Sequence, residues 1–157
     1  MERVIRVMDM QSGPHRVFLD LNHILPVFSP EGHAWRWAIR DEAAEITALP
    51  RWDLDLLFIL EQLREPRGLV MSFSELEQLA ARINQVIWGE FIAAPTTGEL
   101  PIRGTRPAVI GRTALAGALA FDSTYWFVGG PTDVIERAVE RFEQVEEVAP
   151  EEWPALD

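Results

Sequence analysis

The chain has no cysteine and no lysine. Without cysteine there is no disulfide, no thiolate nucleophile and no Cys-ligated zinc. Without lysine there is no Schiff-base chemistry and no P-loop lysine. All fourteen basic residues are arginine. Histidine is scarce, with only His15, His23 and His33. Their separations match no short metal-ligand spacing, so neither a metal nor a cofactor is expected. No apolar run reaches the roughly 18 residues that a transmembrane helix needs. The opening Met1-Glu2-Arg3-Val4-Ile5-Arg6 lacks the basic end and apolar block of a secretory signal. These absences lead to the expectation of a cytoplasmic protein that does not enter a membrane.

Catalytic signatures are missing too. There is no G-x-S-x-G elbow, H-E-x-x-H pair, EF-hand loop or G-x-G-x-x-G turn. The expectation is therefore that the protein is not an enzyme.

What the chain does have is core-forming material. Of 157 residues, 48% are hydrophobic and 25% charged, a balance that suits a globular domain rather than a disordered one. The organisation expected is one domain over residues 1–148 and a loose acidic tail over 149–157. Alternation predicts strands over 3–10, 16–21 and 33–39, the first two joined as a hairpin through Ser12-Gly13-Pro14. Trp35, Trp37 and Ile39 share one face of the third. Asp53 is placed to start a helix to Arg64, apolar almost all round and hence buried. Ser74 and Glu77 have capping-box spacing before a stripe of Leu76, Leu79, Ala80, Ile83 and Ile87. Residues 86–93 read as a strand interrupted at Gly89, and 108–128 as one or two more strands. Gly129-Gly130-Pro131 reads as a turn. Thr132 then caps a helix carrying Val134, Ile135, Ala138, Val139 and Phe142, with Asp133 poised to pair with Arg137. A short edge strand follows at 145–148. Strands, two helices, strands and a helix give an α+β class. The sheet is mainly antiparallel, with about three helices packed on one side. The core expected includes Leu57, Phe58, Leu60, Leu76, Leu79, Ile83, Val139 and Phe142.

Charge is unevenly spread. The net value is −11. Residues 1–40 carry five arginines against four acids, whereas 133–157 carry nine acids against two arginines, a net of −7. Such a surface repels nucleic acid and attracts a basic protein. Glu136, Glu140, Glu143 and Glu147 follow steps of four, three and four, with Glu146 beside them, and mark a candidate partner-binding stripe. Trp52 and Trp153, each next to a proline, are candidate interface anchors. The function this suggests is a non-catalytic acidic protein-binding domain, such as an inhibitor or immunity protein for a basic toxin.

The alternative is a small-anion site or enzyme using Arg103, Arg106 and Arg112 near Gly104 and Gly111. Asp122, alone inside an aromatic strand, is either solvent-facing, at a hairpin turn or functional. The acid groups Asp41, Glu42, Glu45 and Asp53, Asp55 are explained as a strand end and a helix start.

Overall fold

The computed structural model of this protein describes residues 1–8, 10–11, 17–40, 46–47, 61–83, 85–86, 88–122 and 125–154. Seven strands form one antiparallel sheet: β1 (Arg3–Val7), β4 (Arg36–Ile39), β6 (Leu69–Ser72), β8 (Gly89–Ala94), β9 (Ala116–Phe121), β10 (Tyr125–Gly130) and β11 (Val145–Val148). Their order across the sheet is β11-β1-β10-β9-β8-β4-β6. Two small ribbons stand apart, one of β2 (Met10–Gln11) with β3 (Val17–Phe18), the other of β5 (Ile46–Thr47) with β7 (Gln85–Val86). The α-helices are α1 (Leu21–Ile24), α2 (Phe73–Ala80), α3 (Pro107–Thr113) and α4 (Thr132–Arg141). The class is α+β, as the element order predicts.

Alternation along each strand divides the core in two. Ile5, Val7, Trp37, Ile39, Phe91, Ala93, Trp126 and Val128 face a first cluster with α1, the 25–28 turn, α2 and α4. Val4, Ala38, Ile92, Ala94, Leu119 and Phe127 face a second cluster with Ile110 and Ala114 at α3, and Trp153. The sheet is thus covered on both sides, not one. Trp35, Trp37 and Ile39 do share the first face, with Trp35 at its margin.

Several local expectations change. The first two strands do not pair with each other. β1 lies between β10 and β11, and the hairpin shrinks to the β2–β3 ribbon. Asp20 is not on a strand but caps α1, accepting from the His23 amide at 3.3 Å. The capping box of α2 is Ser72 with Glu75, two residues before the expected pair. The Ser72 amide donates to Glu75 at 2.7 Å, and the Glu75 amide to the Ser72 hydroxyl at 3.2 Å. Phe73 is fully buried, and that burial selects the earlier start. Residues 107–113 form a helix rather than a strand, with proline in the first turn, where its missing N–H costs nothing. Gly129 and Gly130 belong to β10, and Pro131 occupies the cap position of α4. Thr132 instead donates to the Glu2 carboxylate at 2.7 Å. Arg137 turns away from Asp133. It donates to the Val27 carbonyl at 2.9 Å and to Glu31 at 3.2 Å. Val139 is 44% exposed rather than core, while Leu76, Leu79, Ile83 and Phe142 are buried. Leu57, Phe58, Leu60 and Ile87 lie outside the described residues.

Residues 149–154 are not loose. Pro150–Glu152 make a short 3-10 turn, and Trp153 is fully buried on the second face. Gly111 makes this docking feasible, because a Cβ there would stand 1.9 Å from the Pro150 carbonyl oxygen. A second side-chain-free gap is formed by Gly117 and Gly129, paired directly across β9 and β10. Met1 fills it. The Met1 amine donates to the Gly111 carbonyl at 2.8 Å and to the Ala114 carbonyl, placing a cation at the C-terminal end of α3. Burial lowers the pKa of that amine.

Removing the Trp153 ring should therefore cost about 3–5 kcal/mol, and Gly111→Ala about 1–3 kcal/mol through overpacking. Urea denaturation measures both. An unchanged midpoint in either variant would mean that the C-terminal segment does not dock.

A pH dependence follows from glutamates held below their usual range, Glu31, Glu75, Glu147 and Glu151. Glu31 is held there by its own backbone amide and then by Arg137. Glu75 is held by the Ser72 amide and hydroxyl, and Glu147 by Arg3. Their folded-state pKa values lie below the unfolded ones, so the unfolded chain takes up protons first as pH falls. The stabilisation is complete above the ordinary glutamate value near ~4.3 and disappears as pH drops through the folded values. Urea midpoints measured from about pH 7 down to about pH 3 should hold steady and then fall below the glutamate range. A flat profile would show that these bonds do not stabilise the fold.

Candidate functional site

Helix α4 buries Val134, Ile135 and Ala138 on the sheet. Its two cations are drawn inward toward the segment that precedes β4. Arg137 is bound to Val27 and Glu31, and the Arg141 Nε donates to the His23 carbonyl at 3.2 Å. The acids remain on the other side. Asp133, Glu136 and Glu140 are exposed, and Val139 is exposed at the margin of their face. Asp133 and Glu140 make no ion pair among the described residues. Like charges at steps of three and four repel by a few tenths of a kcal/mol, so this face costs a little stability.

The expected stripe of four glutamates does not continue as a helix. α4 ends at Arg141, and Glu143 lies in the following turn. Glu147 sits on β11, where Arg3 donates to it at 2.8 and 3.0 Å. Glu146 pairs with Arg6, and Arg112 with Glu151 at 2.9 Å. Arginines of β1 and α3 thus pair with three of the acids that are unbalanced along the sequence. On α4 itself, Glu136, Glu140 and the missed Asp133 and Val139 are exposed. Val139 follows Ile135 by four residues, so periodicity sets it at the margin of the buried face, and its 44% exposure was not legible there.

The remaining candidates are scattered. Trp153 is buried inside the protein, so it is not a surface anchor. Trp52, His15, Asp41, Glu42, Glu45, Asp53 and Asp55 lie outside the described residues. Arg103, Arg106 and Arg112 do not converge on one cradle. Arg103 donates to the Leu63 carbonyl, Arg106 is exposed at the start of α3, and Arg112 is taken by Glu151. Asp122 is the turn residue between β9 and β10, exposed and with a φ of 50°, a left-handed conformation that Asp tolerates. His23 caps α1, and His33 packs edge-on against Phe73 with ring centroids 4.8 Å apart. Among the described residues no group of three or more His, Asp or Glu is arranged to hold a metal. No helix among them is long and apolar enough to cross a membrane.

One polar cluster escaped the sequence entirely. Glu90 is buried on β8, where every residue is buried. The Trp153 indole N–H donates to its Oε1 at 2.7 Å. The Arg40 Nε stands 3.8 Å from its Oε2, with the Arg40 side chain only 9% exposed. Burial lowers the Arg40 pKa, opposed by Glu90 and reinforced by Arg103.

No protein-family model matches this chain, and no curated protein or solved structure is significantly similar to it.

Proposed function

We propose that this protein is a non-catalytic, cytoplasmic protein-binding domain that meets a basic partner protein through the outer face of α4. An inhibitor or immunity protein that neutralises a basic toxin is the concrete form of this reading. The observation that carries it is the outward acidic face of α4. Asp133, Glu136 and Glu140 are exposed on one face of α4 with Val139 at its margin, whereas Glu147, Glu146 and Glu151 are bound to Arg3, Arg6 and Arg112. An acidic face with an exposed aliphatic side chain at its edge suits contact with a basic protein surface. Its negative potential disfavours nucleic acid and accelerates encounter with a cationic surface. A scattered set of acids would serve solubility equally well without the repulsion.

Reversal of charge in Glu136→Arg/Glu140→Arg should leave the melting temperature nearly unchanged, because both side chains are exposed. Capture of a basic protein from the source cells should fall at least about tenfold, mainly in association rate, and salt should weaken the parent's capture. Equal capture by parent and variant, or no basic protein retained at low salt, would remove α4 as the binding face.

A further inference from the structure

The cluster at Glu90 has more positive charge than its carboxylate can balance. Arg40 and Arg103 are close enough that each bears on the other's charge, and one carboxylate faces both. That carboxylate is already shared with the Trp153 indole. Its distance of 3.8 Å from the Arg40 Nε is too long for a direct hydrogen bond. The Nη1 of Arg40 is buried and has no hydrogen-bond partner. A buried donor on a charged group left in this state is costly. At least one positive charge and one guanidinium edge are left over at this point.

The place is built by three chain segments. Arg40 follows β4 and donates its backbone N–H to the Glu90 carbonyl at 2.9 Å. The turn at Gly68 packs on it, with a Cβ there only 3.3 Å from the Arg40 Cα. Arg103 is fixed from the other side. Its amide donates to the Pro66 carbonyl at 2.5 Å, and its guanidinium to the Leu63 carbonyl. The two cations are thus positioned by backbone contacts that do not depend on their attraction for an anion.

We infer that Arg40 and Arg103, beside Glu90, form a binding site for a small oxyanion, a carboxylate or phosphate group. A planar guanidinium edge matches either group. An anion there would satisfy the Arg40 Nη1 and relieve the repulsion between the two arginines. The site shares no residue with the α4 face, so it stands or falls separately from the protein-binding reading.

The test is titration of the whole protein with inorganic phosphate and, separately, with acetate, against chloride at constant ionic strength. The readout is the Trp153 indole N–H resonance, identified by its loss in Trp153→Phe. A saturable displacement is expected. In Arg103→Gln, a change at an exposed side chain, the apparent affinity should weaken at least about tenfold. Arg40→Gln should abolish the effect; where that variant fails to fold, Arg103→Gln decides. Saturation by phosphate alone identifies a phosphate site, and saturation by acetate alone a carboxylate site. The inference is overturned when neither anion exceeds chloride, or when Arg103→Gln titrates like the parent.

Discussion

A carboxylate buried in an apolar sheet is the constraint around which the second face is arranged. Glu90 stands on a strand that is buried along its whole length. Left alone, its charge would cost several kcal/mol. The chain answers with an indole N–H at 2.7 Å and a guanidinium at 3.8 Å. The indole arrives from a segment that follows the last strand of the sheet, so the docking of Trp153 and the tolerance of Glu90 are one requirement. Gly111 has no side chain because Pro150 passes over it. α3 is therefore shaped by what must lie on top of it.

Electrostatics elsewhere follows sheet order. β11 is acid-rich and β1 carries arginines, and the two are neighbours. Arg3 meets Glu147 and Arg6 meets Glu146. Arg3 and Arg6 lie on opposite faces of β1 by alternation, so both sides of this border are neutralised. Pairs this exposed contribute little to stability. Their effect is on where net charge appears. It is removed from the sheet border and left on α4, whose own arginines bind the 23–31 segment.

Elements specified by local pattern were legible in the sequence. The alternation of Trp35, Trp37 and Ile39 places them correctly, as does the buried stripe of Leu76, Leu79 and Ala80. The edge strand at 145–148 is also legible. Features decided by distant contacts were not. Ala108-Val109-Ile110 resembles a strand, and only the contact of Gly111 with Pro150 and the proline at its start make it a helix. Two Ser-x-x-Glu pairs overlap at 72–77, and the burial of Phe73 chooses between them. The candidate site was half legible. Glu136 and Glu140 are outward as their spacing suggests, but Glu147 is on another element. The cluster of Arg40, Glu90 and Trp153 joins residues from three remote segments, for which no local signal exists.

The position of β1 has a consequence for how the chain acquires its shape. Arg3 and Glu147 are 144 residues apart, and both hydrogen-bonding edges of β1 are taken by strands from the far end of the sequence. On a ribosome making about 5–20 residues per second, β1 emerges first and finds its partners last. During that interval it is an unpaired apolar strand, the type of segment that recruits other chains. Its two arginines alternate with Val4, Ile5 and Val7 and interrupt the apolar run. They act as gatekeepers against aggregation in the nascent chain, before either has a glutamate to meet.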